Sequence, residues 1–358
     1  MKKNFFFGIV FLTLVSQTIF SQVVLSADGP GNTYELINAV FANPNRSVVE
    51  APDCNHTDFG NHIDEVFDTE LNKNVFRFHI HVTPDNDRCK KFDRQRNEIK
   101  TYSDSPENLK VTKGETVAYK WKFKLSDSFK TSASFTHIHQ IKAVGGSYAS
   151  IPMISFTLRK GNPDKFELRY TATNDQTTLE TANLDLFRGN WVEVTEYIKF
   201  DDAGSYSLEI RKVSNNEEIF SYSNSPLDTW QDGAEFARPK WGIYRSLNNK
   251  QDLQDEIVKY ADFSIEEITG LLSVDDLKAK SENILLFPNP SSNEIEFKNT
   301  DSDAYDEVAL FDYTGRNISI ENRFNNKTVD FSGFSKGLYF VVLTKDSVIV
   351  KVLKCYIK

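Results

Sequence analysis

Between Asn74 and Glu266 the chain reads as short runs of alternating apolar and polar residues, broken by turn chemistry at intervals of roughly 8–12 residues. The clearest runs lie at 75–82, 116–125, 135–144, 152–159, 165–171, 191–200, 206–213 and 240–245. Side chains at i and i+2 of a strand share a face, so each run predicts a strand with one buried side. Lys113-Gly114-Glu115, Gly145-Gly146, Lys160-Gly161-Asn162-Pro163 and Asp201-Asp202-Ala203-Gly204 supply the turns. Many short strands at this spacing indicate a β-sandwich or jelly roll. Helical periodicity is confined to small pieces such as Thr33–Phe41, where Tyr34, Leu36, Ile37 and Val40 fall on one face.

The pattern changes at both ends. Lys2 and Lys3 precede an apolar run over residues 5–15, and Ile19-Phe20-Ser21 offers a cleavage site, so residues 1–21 read as a signal peptide. That run is too short to cross a bilayer comfortably, and nothing later is long and apolar enough to do so, which predicts an exported chain with no membrane span. Residues 22–268 form the main domain, and 269–283 are polar and charged, as in a linker. A smaller β module follows over 284–358, with strand-like runs at 294–297, 307–312, 337–343 and 348–357.

Composition sharpens this reading. Aromatic residues make up 13% of the chain, with 28 Phe and 14 Tyr against 2 Met, which favours strands over helices. The net charge of −9 argues against a nucleic-acid partner and requires that any site for an anionic polymer be a local basic groove in an acidic shell. Of the three cysteines, Cys54 and Cys89 lie in the exported domain, where a disulfide is permitted, although sequence alone gives no distance between them. Cys355 reads as a passenger in the tail, and there is no Cys-x-x-Cys zinc pattern.

Three strand-like stretches supply candidate chemistry. Arg96, Glu98 and Lys100 share one face, as do Gln140 with Lys142, and Lys240 with Gly242 and Tyr244. Arg94, Asn97 and Arg245 flank them and join the expected substrate-binding set. Taken singly, an Arg-x-Glu pair is a common surface ion pair, Gln-x-Lys a solvated face, and a Tyr after Gly ordinary packing. On one sheet they form a set suited to β-elimination of a uronic acid. That reaction removes a proton beside a charged carboxylate, so the site must neutralise the carboxylate and supply a base and an acid. Arg96 offers a forked donor, Gln140 a neutral amide and Lys142 a point charge. Tyr244 could handle the proton if nearby cations favour its phenolate, and Lys142 is the rival base if desolvation lowers its pKa.

The order Arg96-x-Glu98-Ile99-Lys100, Gln140-Ile141-Lys142 and Lys240-x-Gly242-x-Tyr244 resembles the jelly-roll polysaccharide lyases, whose groove strands carry R-x-E-[LI]-[RK], Q-I-[HK] and K-x-G-x-Y. Lys142 stands where alginate lyases of this fold have histidine, and in this the chain most resembles the ulvan lyases of polysaccharide lyase family 28. The resemblance implies an all-β jelly roll of two stacked antiparallel sheets with a concave groove. It implies an endo-acting lyase that leaves 4,5-unsaturated uronate ends, with Lys142, Tyr244, Gln140 and Arg96 in catalytic positions and no cofactor required for the chemistry. Alginate, glucuronan or heparin-type substrates are the alternatives, as is a non-catalytic carbohydrate-binding jelly roll. A glycoside hydrolase would need two flanking carboxylates, and only Glu98 is an obvious one.

The tail resembles the type A sorting domain of the type IX secretion system through Phe287-Pro288-Asn289-Pro290, Leu310-Phe311-Asp312-Tyr313-Thr314-Gly315-Arg316 and Lys336-Gly337-Leu338-Tyr339-Phe340-Val341. The implied partners are the secretion machinery and an anionic polysaccharide, with the enzyme itself a monomer.

The remaining polar residues are less directed. His79 and His81 alternate with Phe78, Ile80 and Val82 and are candidate sugar contacts, whereas His137 and His139 fall on the opposite parity to Gln140 and Lys142 and read as structural. Asp85-Asn86-Asp87 could offer oxygen ligands to a structural calcium, but no EF-hand pattern surrounds it and a turn after Pro84 is the plainer reading.

Overall fold

The computed structural model describes residues 22–268 and, in the tail, 285–291, 294–298, 305, 307–312, 317–318, 328–345 and 348–358. The expected signal peptide, the whole of the expected linker and residues 313–316 of the tail motif lie outside the described residues.

In chain order the main domain comprises β1 (Gln22–Leu25), α1 (Thr33–Phe41), β2 (Val49–Glu50), β3 (Ile63–Asp68), β4 (Lys73–Ile80), β5 (Arg94–Lys100), β6 (Thr116–Lys124), β7 (Thr136–Gly145), β8 (Ile154–Arg159), β9 (Lys165–Tyr170), β10 (Thr177–Asn183), β11 (Trp191–Lys199), β12 (Gly204–Lys212), β13 (Glu218–Leu227), β14 (Ala234–Ser246) and β15 (Glu256–Glu267). Two antiparallel sheets result. One runs β13-β12-β11-β6-β15-β4-β3 with β1 on β15; the other runs β10-β9-β8-β7-β14-β5-β2. This is the stacked all-β architecture that the alternation predicts.

The inward faces meet in one apolar core. Trp121, Phe156, Trp241, Tyr260 and Phe263 are buried there, with Trp241 centred 5.0 Å from Phe263 and 6.0 Å from Phe41 of α1. One polar hub interrupts the core. Glu196 accepts from Tyr206 at 2.8 Å and lies 3.0 Å from His139 Nε2. His139 is itself fully buried against Trp121, Phe156 and Trp241, as its structural reading expects.

Several strands had no clear run in the sequence. β10 and β13 are sheet edges whose residues are mostly exposed, so they lack an apolar face to read. β15 changes register between Ala261 and Ser264, around a left-handed Asp262 (φ 56°), and its alternation breaks there.

The described tail residues form two further antiparallel sheets. Leu285–Phe287, Glu294–Lys298 and Thr328–Asp330 make one; Asn317–Ile318, Glu307–Asp312, Gly337–Lys345 and Val348–Ile357 make the other. They close over their own apolar cluster, which includes Ile295, Leu310, Val341 and Cys355. Burial pushes the Cys355 thiol up to about 12, so it is not a nucleophile.

Candidate active site on the seven-stranded sheet

The three stretches singled out in the sequence become neighbours because β14 lies between β5 and β7. Tyr244 pairs with Arg96, Gly242 with Glu98, and Lys240 with both Lys100 and Gln140. Further along, Arg238 pairs with Lys142. Directly opposed residues of an antiparallel pair project to the same side, so all of these stand on the outer face.

Gly242 is required by this geometry. Its φ is +136°, and a Cβ there would meet the carbonyl oxygen of Asn97 at 2.1 Å. The pairing of β14 with β7 shifts between Trp241 and Tyr244, and that of β7 with β8 shifts between His137 and His139. This irregularity puts Ile138 and His139 both in the core and returns His137 to the outer face, opposite Tyr244. The parity that made His137 structural is therefore broken. Its Nδ1 lies 2.8 Å from Thr157 Oγ1 and its ring 6.0 Å from Tyr244. Burial, partly opposed by Glu98, lowers its pKa to about 3, so it presents a neutral imidazole.

Most cations on this face are already matched. Glu50 accepts from Lys240 at 2.6 Å and Lys100 at 2.8 Å and also pairs with Arg88. Glu98 accepts from Lys240 at 2.5 Å, from Arg96 and from Gln140. Asp87 Oδ1 accepts from Arg96 Nε at 2.9 Å and Arg88 Nε at 2.8 Å. Burial would raise the carboxyl of Glu98, but Lys240 and Arg96 overcome it and hold the pKa at about 2. Glu50 is likewise driven far below the usual carboxylate range, against burial, by Lys240, Lys100, Arg96 and Arg88. Neither acid can donate a proton near neutrality, which removes the carboxylate pair that glycoside hydrolysis needs from these two residues.

Two cations stand apart. Lys142 Nζ donates to the Ser150 carbonyl at 2.9 Å and has no carboxylate partner among the described residues. Burial, reinforced by Lys240, Arg238 and Arg96, lowers its pKa to about 7. Arg238 is 8% exposed; its Nε and one terminal nitrogen are buried without a hydrogen-bond partner, and its guanidinium lies 5.0 Å from the Tyr102 ring. A buried guanidinium with open donors is costly unless an anion meets it.

Tyr244 is held from both sides. Arg96 lies 3.7 Å above its ring, and Arg94 donates to its hydroxyl oxygen at 2.9 Å. Because that oxygen accepts from Arg94, its own proton is free to be directed to another acceptor.

The structure thus gathers Arg94, Arg96, Glu98, Lys100, Gln140, Lys142, Lys240 and Tyr244 on one face. It does not bring four other expected contacts there. Asn97 is fully buried and donates to the carbonyls of His62 and His79, each at 2.8 Å. Arg245 is fully buried, donating to Gln95 and to the Gln254 carbonyl. Both have the inward parity of their strands, which corrects their assignment as substrate contacts. His79 belongs to the other sheet and lies 3.0 Å from Asp64, and His81 follows that strand and lies 3.0 Å from Asp85. Neither is part of the outer face of the seven-stranded sheet, so both are corrected as sugar contacts.

Asp85, Asn86 and Asp87 have separate partners: histidines, the Cys89 amide, and Arg88 with Arg96, respectively. They do not form the converging oxygen set proposed for calcium. Cys54 and Cys89 are joined as a disulfide.

Sequence reasoning missed Arg238, Glu50 and His137. Arg238 was detectable, since it shares parity with Lys240 and Tyr244. Glu50 lies on a two-residue strand far from the motifs, and no local pattern marks it.

The two-sheet β-sandwich thus carries a predominantly cationic outer face on its seven-stranded sheet. The chain belongs to the polysaccharide lyase family, whose model matches residues 62–262. Residues 285–358 match the secretion system C-terminal sorting domain, so the protein is routed by type IX secretion to the cell surface or beyond.

Among solved structures it is similar to an endo-β-1,4-glucuronan lyase from the fungus Trichoderma reesei, at 16% identity and TM-score 0.42, over 57% of this chain and 87% of that one. It is also similar to the PL-14 alginate lyase of Aplysia kurodai, at 12% identity and TM-score 0.46, over 69% of this chain and all of that one (100%). A family-7 alginate lyase, A1-II', is similar at 13% identity and TM-score 0.42, over 61% and 93% of the two chains. Comparison with curated proteins finds no match.

Proposed function

We propose that the protein is an endo-acting lyase that cleaves ulvan, a sulfated uronate-containing polysaccharide, by β-elimination, with Lys142 as base and Tyr244 as acid. The observation that carries this reading is the state of Lys142: a half-buried amine with no carboxylate partner among the described residues, its pKa lowered to about 7. A large fraction of it is then neutral at neutral pH, as a general base requires.

In the proposed reaction the neutral amine takes the C5 proton. The C5–H electrons form the C4–C5 double bond, the C4–O4 bond breaks, and Tyr244 gives its proton to O4. Lys142 is left as ammonium and Tyr244 as phenolate, and solvent returns each to its starting state. Arg238, with open donors opposite Lys142, is positioned to neutralise the carboxylate, with the Gln140 amide beside it. Arg96 is moved from direct carboxylate binding to a positioning role, because Asp87 and Glu98 occupy it while it supports the Tyr244 ring.

Ulvan is favoured over alginate by lysine in the third position of Gln140-Ile141-Lys142, where the alginate-type motif has histidine. A face with two unmatched cations also suits a polymer that carries sulfate as well as carboxylate.

The test is to incubate the protein with ulvan, alginate, glucuronan and heparin and follow ultraviolet absorbance of the 4,5-unsaturated uronate. Ulvan should give the largest rate, with mid-chain cleavage and a rapid fall in viscosity. Faster elimination on alginate or glucuronan would overturn the substrate, and chain cleavage without the chromophore would overturn the reaction.

A further inference from the structure

Away from the sheet face, His56, His62, His81 and Asp85 converge from different parts of the chain. Their nearest nitrogen and oxygen atoms all lie within 4.8 Å of one another. His56 Nδ1 is 2.9 Å and His62 Nε2 3.2 Å from Asp85 Oδ1, and His81 Nδ1 is 3.0 Å from Asp85 Oδ2. We propose that these four residues form a structural zinc site.

The donor set and its spacing argue for it. Tetrahedral zinc with bonds of about 2.0–2.1 Å places its ligand atoms about 3.3 Å apart. The separations to Asp85 are close to that length and the others stay within 4.8 Å, so the imidazoles must draw together around the ion. Three imidazoles and one carboxylate suit zinc; calcium and magnesium take oxygen.

The surroundings are those of a built site. The Asp85 and His62 side chains are fully buried. His62 Nδ1 is 2.7 Å from Asp53 Oδ1, whose other oxygen accepts from Tyr34 at 2.8 Å. An outer carboxylate on the second ring nitrogen fixes the imidazole with Nε2 toward the metal. The Cys54–Cys89 disulfide ties the segment bearing His56 to the turn that begins at Asp85. Phe59, 40% exposed, lies over the cluster with its ring 4.5 Å from His81 and 4.7 Å from His62, which accounts for an otherwise unexplained surface phenylalanine. Four protein ligands close the coordination sphere, so the role is structural.

The site also bears on the sheet face. Two residues after Asp85, Asp87 holds Arg96, which lies over Tyr244. A metal at Asp85 would fix that turn and, through it, Arg96.

The experiment uses the full exported chain, stripped with a chelator, with zinc, calcium or magnesium added back separately. Bound metal is measured by mass spectrometry and unfolding temperature by calorimetry. The proposal expects about one tightly held zinc per chain and a rise in unfolding temperature on the order of 5 °C with zinc alone. His81→Ala and His56→Ala, at the more exposed positions, should each lose stoichiometric zinc and that rise while retaining a cooperative transition. Should either variant fail to fold, cobalt added to the stripped wild-type chain decides, through the visible spectrum of a four-coordinate ion. Absence of zinc in the wild-type chain after add-back, an equal response to calcium, or undiminished zinc in both variants would overturn it.

Discussion

Two lysines on one face, Lys142 and Lys240, show how local pairing sets chemistry. Both are desolvated. Lys240 sits between Glu98 and Glu50, and its pKa is lowered only to about 8, whereas Lys142 lacks such partners and falls to about 7. Lys240 is therefore a fixed charge that shapes the face, and Lys142 is the amine available for proton transfer. Tyr244 complements it as a phenol whose oxygen is occupied by Arg94. Tyr244→Phe deletes only the hydroxyl and leaves the ring under Arg96, so it should keep the fold and oligosaccharide affinity but reduce kcat by at least about 100-fold. A steady-state assay with a binding titration checks this, and near-normal kcat in a folded variant would remove Tyr244 from the mechanism. The spacing of i and i+2 residues placed Lys142 and Tyr244 on the candidate face, and the resemblance to the jelly-roll lyases gave them their expected roles. It could not reveal that Arg96 is consumed by Asp87 and Glu98, because those ion pairs join distant parts of the chain.

The face depends on irregularities within strands that an ideal alternation does not contain. Gly242 lets β14 pass closely beside Asn97, and the register shift near Ile138 turns His137 outward. A period-two reading carries parity through such a shift, and for that reason it misplaced His137 while placing Gln140 and Lys142 correctly. It also had no means of finding β10 and β13, whose exposed edge positions carry no apolar stripe. Gly242→Ala should lower stability by roughly 1–3 kcal/mol through strain at its positive φ, with additional loss from the Asn97 clash. It should also reduce turnover by displacing Tyr244. Urea denaturation with the lyase assay checks both, and an Ala variant with unaltered midpoint and rate would show that the close approach is dispensable.

At the scale of the molecule, an acidic chain carries a local group of cations, among them Arg94, Arg96, Lys100, Lys142, Arg238 and Lys240, on the outer face of one sheet. The overall charge of −9 gave no hint of this; only the motif positions did. The tail closes its own core, including Ile295, Leu310 and Val341, and the proposed chemistry draws on no residue of it. A chain ending at Ile268 should therefore cleave soluble polymer at a rate within about twofold of the full chain, since substitutions distant from a site usually act independently of it. Loss of activity in a truncation with an unchanged far-ultraviolet spectrum would give residues 285–358 a part in substrate handling. The export role of the tail was legible from the motifs that resemble the sorting domain. The histidine cluster was not, because its ligands come from two loops, β2–β3 and β4–β5, whose closeness only the folded chain establishes.

The central claim is that a neutral Lys142 amine removes the C5 proton, and the pH dependence of kcat/KM on ulvan tests it most directly. The uronate is ionised throughout the working range, so the acid limb should report the free enzyme's base. The account predicts that kcat/KM rises about tenfold per pH unit on the acid side, levels above a pKa of about 7, and is lost almost entirely in Lys142→Met. A rate that is flat across this range, or that survives in the folded Lys142→Met variant, would contradict it.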